Sequence, residues 1–341
     1  MSEAAAAGKM PVAAWRVTLD GKDLTETMAP RLISLSLSEK RGDEADQLDI
    51  VMHDADGLLE IPKSGAVLRV SMGWEQGTGL PIGLIDKGSF KVDEASWSGP
   101  PDQVTVRARS ADLTDSFRVR KERSFVGKTV KDIVNAIAGD NGLKPQIDAA
   151  LGAKVIPALG AGAKSDAALL RLLGKRFDAV ATVKAGALIF APIGKGMTAK
   201  GTPLPTETLE RRASERLEYS RVERDQHDGV EATWHDKASG ERKAVKSGHK
   251  GKGKAKRLRK TYASETDARH AADAENGRIT RAKAKCTYDL AYGRPDIFPE
   301  RPVKLEGVKA EIAGHSWIVA ECTHSMDGQG ALKSTLSLEA I

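Results

Sequence analysis

Between residues 12 and 118 apolar side chains return at every second position. Trp15, Val17 and Leu19 alternate with other neighbours, as do Ile33, Leu35 and Leu37, and then Leu48, Ile50 and Met52. An apolar stretch at 67–72 follows, then Phe90 with Val92, then Val104, Val106 and Ala108. Alternation between turn clusters such as Asp20-Gly21, Asp56-Gly57 and Gly99-Pro100-Pro101-Asp102 predicts six or more short strands with one wet face, in a barrel or sandwich.

The period changes over residues 119–192. Val130, Ile133, Val134, Ile137 and Ala138 fall on one helical stripe, with Thr129 placed to cap and Asn141-Gly142 to stop it. A second helix is predicted after Ser165, with Leu169, Leu172, Leu173 and Phe177 on one face. The apolar runs 179–183 and 188–191 flank Lys184-Ala185-Gly186, the pattern of a hairpin. Residues 193–215 read as a linker, with Gly194, Gly196, Gly201, Pro203 and Pro205.

The β pattern resumes at Val222, at 230–234 and towards Val245, and again at 302–308, 315–323 and 331–339. Between these blocks lie a basic run, 246–260, and a helix predicted from Tyr262-Ala263-Ser264 to about Lys285. That helix has an alanine face of Ala268, Ala271, Ala272, Ala274, Ile279 and Ala282, which buries little area and is weakly anchored by itself. The expected organisation is a first β domain at 12–118, a small α+β domain at 119–192, and a linker at 193–215. A second β domain is split between 216–245 and 302–341 by the insertion 246–301.

Composition narrows the class. Of 341 residues, 40% are hydrophobic and 29% charged, as in a folded soluble chain. No apolar run nears the roughly 18 residues of a membrane span. The start, MSEAAAAGKM, lacks the basic and apolar regions of a secretory signal, so the cytoplasm of the producing cell is the expected compartment. Two cysteines, Cys286 and Cys322, are too few for a disulfide framework or a four-thiolate zinc site. The net charge of +6 is concentrated in one place: Lys246, Lys250, Lys252, Lys254, Lys256, Arg257, Arg259 and Lys260. That run reads first as a solvated flexible loop. Contact with an acidic partner or a lumen, and non-specific contact with DNA phosphates, are the other readings. It contains no aromatic residue on which bases could stack.

Candidate chemistry fails on context. The stretch 248–254 has the spacing of a phosphate loop, but Ala255 stands where a hydroxyl is needed. The stretch 159–165 lacks the glycine before its lysine and reads as a loop leading into a helix. Cys322 and His324 share a strand face but lack further ligands, while alternation puts His315 on a packed face with Trp317 and Val319. His227, Asp228, His235 and Asp236 read as turn chemistry at strand ends. No catalytic, metal or cofactor residues are assigned, and no enzyme activity is expected. The residues put forward for partner or lumen contact are Lys250, Lys252, Lys254, Lys256, Arg257, Arg259 and Lys260.

The order of the pieces resembles the phage late control gene D family, baseplate hub proteins of contractile tails. It is similar also to the N-terminal hub part of VgrG proteins of type VI secretion. The likeness rests on Gly88-Ser89-Phe90-Lys91-Val92-Asp93 and Val104-Thr105-Val106-Arg107-Ala108, then on 129–134 with Gly142-Leu143, and on 169–178. Tyr262-Ala263-Ser264, Gly293-Arg294-Pro295, and His324 with 336–339 complete it. The resemblance implies an α+β, mainly β fold. Two similar β-barrel-like tube domains would flank a small LysM-like α+β domain, with a helical insertion in the second. It implies a homotrimeric adaptor joining a six-fold tail tube to a three-fold spike in the virion baseplate, assembled in the host bacterial cytoplasm. Partners would be other copies of the chain, the spike, the tube and, further off, the tape measure protein, with no membrane. The competing functions are a peptidoglycan-binding or -degrading tail-tip protein and a nucleic-acid binder through the basic run. The chain stops at Ile341, where VgrG proteins continue into a spike, which favours a system with a separate spike protein.

Overall fold

The computed structural model describes residues 9–42, 45–110, 115–221, 227–249 and 253–341. One 13-stranded, mainly antiparallel sheet forms its backbone. The sheet has two halves that meet at Trp317–Asp327. One edge of that strand pairs with Leu332–Ala340. The other edge is shared: Trp317 and Ile318 face Pro302–Glu306, and Glu321 to Asp327 face Leu32–Lys40 of the first half.

The halves repeat one strand order. The first runs Leu32–Lys40, Gln47–His53, Gln103–Ser110, Gly83–Ser98, Val67–Gln76, Val12–Leu19. The second runs Ser214–Arg221, Ala284–Leu290, Leu332–Ala340, Trp317–Asp327, Pro302–Glu306, Glu207–Glu210. The register repeats too. Leu37 faces Leu48, which faces Ala108, just as Tyr219 faces Cys286, which faces Leu338. The irregularities between Leu32 and Ser34 and between Val92 and Glu94 recur between Ser214 and Arg216 and between Val319 and Glu321. The backbone pairs that Val92 makes with Gly65 and Ala66 recur where Val319 meets Glu300 and Arg301. The last strand of each series differs: Val12–Leu19 is antiparallel to its neighbour and Glu207–Glu210 is parallel. Among the described residues the first and last strands of neither half pair with each other, so of the barrel or sandwich expected from the strand count no closed barrel forms.

Each half buries the alternate residues of its strands. Leu35, Leu37, Leu48, Ile50, Val70, Met72 and Phe90 form one core, and Tyr288, Trp317, Val319, Leu336 and Leu338 another. Each such side chain contributes about 1.5–3 kcal/mol of transfer free energy. The irregularity near Ser34 corrects one reading: it puts Leu32 on the core face and leaves Ile33 exposed.

The middle unit has its own core. Thr129 and Asp132 form a reciprocal capping box at the helix Val130–Asp140. Ser165 caps the helix Asp166–Phe177. Its buried stripe is Leu169, Leu170, Leu173 and Phe177, while Leu172 is exposed. The hairpin Ala179–Lys184/Ala187–Pro192 turns through Ala185 and Gly186, both at positive φ, which suits the twist of its strands. The stretch 159–165 is not a loop before a helix: it lies in the strand Val155–Ser165, paired with Arg120–Thr129.

Three boundaries move. Residues 193–215 are not a free linker, because Glu207–Glu210 joins the main sheet. Ala284–Leu290, placed in the insertion by its sequence, is a strand of the second half. Val230–His235 and Arg242–Ser247 leave that half and form a separate sheet with Lys256–Tyr262, covered by the helix Glu265–Ala282. Residues 256–260 of the basic run are therefore strand and not flexible loop. Val222 lies outside the described residues.

Candidate functional site

The polar chemistry gathers where the two halves meet. Glu39, on Leu32–Lys40, is buried beside Cys322 and His324 on the facing strand. Lys87, from Gly83–Ser98, places its ammonium 2.5 Å from the Glu39 carboxylate and donates to the Pro295 carbonyl at 2.8 Å. Lys184, from the middle unit's hairpin, reaches Asp46 at 2.5 Å and lies 4.0 Å from Glu39. Two carboxylates and two ammonium groups thus balance at this junction: the first half and the middle unit supply the charges, and the second half supplies Cys322 and His324. A buried charge is tolerated when paired in this way.

The titrating groups follow from the packing. Burial alone would raise Glu39, but contact with His324 and the Lys87 charge hold it down to about 2. Burial lowers His324, which stays neutral, with Nδ1 2.7 Å from the Ser334 hydroxyl. Its Nε2 lies 3.3 Å from Glu39 without hydrogen-bond alignment. Burial pushes the Cys322 thiol well up, and the thiol donates to Glu39 at 3.6 Å. The ligand atoms of Glu39, Cys322 and His324 lie within 4.8 Å of one another. A cation there would displace the Lys87 ammonium and require an unfavourable thiolate, so the trio reads as a structural knot. The sequence pointed to Cys322 and His324 as a pair but gave no sign of Glu39, which is 283 positions from Cys322. His315 is elsewhere, stacked with Tyr219 and edge-on to Trp317.

Two further clasps hold the units together. Trp74 donates its indole N–H to the Gly293 carbonyl at 2.8 Å and meets Tyr292 edge-on. A Cβ on Gly293 would sit 2.7 Å from Leu332, so only glycine lets this loop approach. Arg294 next to it grips Asp296 with two bonds of 2.8 Å and pairs with Glu207. Asp178, in the left-handed conformation at the end of its helix, accepts two bonds from Arg281 at 2.6 and 2.7 Å.

The basic segment is less free than its composition suggests. Lys256 pairs with Glu275 and Arg257 with Glu231. Lys254, Arg259 and Lys260 are exposed, with Lys260 over the Tyr262 ring. Lys250 and Lys252 lie outside the described residues. Asp236 accepts from the Ala238 N–H and the Ser239 hydroxyl, turn chemistry as its spacing predicts. His227 and His235 take no part in an acid/base cluster, and Asp228 caps the Gly253 N–H.

Comparison with known proteins fits this architecture. The family model "Phage tail baseplate hub (GPD)" matches residues 49–330. The probable baseplate hub protein of Escherichia phage 186 is 35% identical over 363 residues, covering 95% of this chain and 92% of that protein. The 43 kDa tail protein of prophage MuSo2 from Shewanella oneidensis has a similar fold, with a TM-score of 0.66 at 16% identity over 96% of this chain and 98% of that one. So does an E. coli type VI secretion component described as structurally similar to the T4 tail proteins gp27 and gp5. Its TM-score is 0.57 at 12% identity, over 91% of this chain and 74% of that one. The family match and the full-length relative place the chain among phage tail proteins. The chain belongs to the phage tail baseplate hub family.

Proposed function

We propose that this hub is a homotrimeric adaptor, joining a six-fold tail tube to a three-fold spike, with each half of the large sheet acting as one tube domain. The observation that carries the reading is the repeated strand order and register of the halves. Two equivalent surfaces per chain, taken three times about an axis, give six near-equivalent positions, and the true symmetry remains three-fold. One face can then meet a hexamer and the other a trimer.

The middle unit serves as a bracket and not as a glycan reader, LysM-like in outline only. Its Phe117, Phe177 and Phe190 are buried in its own core and Phe125 packs against that core, so they make no exposed aromatic set for sugar stacking. The exposed Lys254, Arg259 and Lys260 are the members of the basic run best placed to meet an acidic partner or a lumen. The protein acts in the virion baseplate after assembly in the host cytoplasm. Mass measurement in solution, alone and with the spike protein of the same particle, tests the reading. Three chains per particle are expected, and a chain that stays monomeric in both conditions refutes it.

A further inference from the structure

Each half of the sheet has a strand whose outer edge is only partly used. In the second half, Trp317–Asp327 gives the latter part of that edge to Leu32–Lys40. Its counterpart in the first half is Gly83–Ser98. There Phe90, Lys91 and their predecessors pair with Val67–Gln76, and Val92 with Gly65 and Ala66. Beyond Val92, among the described residues, this strand pairs only with Gln103–Ser110, so one edge from Glu94 to Ser98 is open. Likewise, among the described residues, Arg216 to Ser220 of the strand Ser214–Arg221, the counterpart of Leu32–Lys40, are paired in the sheet with Ala284–Leu290 alone. An open edge is a template for another strand.

We infer that these two edges pair between copies of the chain: Ser96 to Ser98 of one copy runs antiparallel to Glu218 to Ser220 of the next. The inference rests on the trimeric reading and gives it an interface. The register follows from the internal junction, where Thr323 faces Ser38 and His324 faces Leu37. The strand equivalences convert Thr323 to Ser96, Ser38 to Ser220, His324 to Trp97 and Leu37 to Tyr219. Ser96 then faces Ser220, and Trp97 faces Tyr219.

The side chains suit this junction. Trp97 is 51% exposed, although it lies where His324 is wholly buried in the internal junction. Leu217 and Tyr219 are half-buried on the opposite edge. A Trp–Tyr contact removes large apolar area from water at the centre of the seam. The Ser38 hydroxyl bonds Glu321 across the internal seam at 3.0 Å, and Ser220 and Glu94 occupy the same two places. Gly99-Pro100-Pro101 ends the open edge, and Pro100 and Pro101 offer no N–H to extend it.

Paired cysteines test the register. The Gly328 N–H bonds the Ile33 carbonyl, its direct partner, so by alternation Ser38 and Thr323 form a non-hydrogen-bonded pair. Ser96 and Ser220 inherit that geometry, with Cα atoms about 4.5 Å apart, within the reach of a disulfide. Oxidation of the assembled double variant Ser96→Cys/Ser220→Cys should lock most chains into two- and three-chain species on a non-reducing gel. The shifted pair Ser96→Cys/Glu218→Cys and either single variant should not. Trp97→Asp, at an exposed site of the single chain, should keep the circular-dichroism spectrum of a folded chain and release monomers. If the chain is trimeric by mass and the matched pair cross-links no better than the shifted pair, the inference is overturned and the trimer stands. If the chain is monomeric by mass, both fall.

Discussion

At the scale of single residues, the knot around Glu39 is where a small change should cost most. Lys87→Met removes the ammonium 2.5 Å from a buried carboxylate. A loss of about 3–5 kcal/mol is expected, because the charge left behind has nowhere to go. Adding Glu39→Leu should recover most of it, since an apolar pair of similar volume avoids the desolvation cost. Denaturant unfolding of the single and double variants checks both expectations. His324 makes a second case. Its folded pKa is depressed by burial, so its contribution is complete above the unfolded value near 6.5 and fades as pH falls below it. Stability should decline from pH 7 to pH 5 with a slope of up to about 1.4 kcal/mol per pH unit from this one group. His324→Asn should flatten that slope in melts across this range. The low Glu39 pKa of about 2 adds a separate loss that begins only below about 4.5.

At the scale of elements, the insertion is held by small contacts. Ala268 and Ala272 of the helix Glu265–Ala282 pack on Val230, Ala232 and Val245. Ala272→Leu over-packs this seam and should cost about 1–3 kcal/mol, read as faster amide exchange in 227–282 with the main sheet still protected. Much of this scale was legible in the sequence. Alternation located most strands of the main sheet, and Thr129, Ser165 and Ser264 announced three helix starts that the side-chain caps bear out. What was illegible has physical causes. Residues 159–165 carry glycines and alanines, too small to show a period, yet they form strand because Arg120–Thr129 supplies the ladder. Lysine and arginine masked the strand Lys256–Tyr262, in which Leu258 and Tyr262 are the side chains packed on the small core. Tertiary pairing there outweighs local preference. Glu39 was unreadable as a site residue because its partners arrive from distant strands.

For the molecule as a whole, the insertion is separable in principle. Arg221 and Ala284 are direct partners across the antiparallel pair, so the chain leaves and returns at one spot. Replacing residues 222–283 by Asn-Gly should close them as a hairpin. The shortened chain should keep a cooperative melt of the main sheet. It should also loosen the middle unit, because Arg281 no longer holds Asp178. Calorimetry and amide exchange on this variant would show the two effects apart. Without a cooperative main-sheet transition, the insertion must be integral to the fold.

The junction of the halves also sets a timetable for folding. Ser38 and Glu321, bonded across it, stand 283 positions apart in the chain. During synthesis the strand Leu32–Lys40 must therefore wait, one side bare, while most of the polypeptide is still being made. Contacts so distant form late and slowly. A bare strand in the interval invites pairing with the wrong neighbour. Yield during expression should thus depend on temperature and on how crowded nascent copies are, more steeply than the stability of the finished protein would suggest.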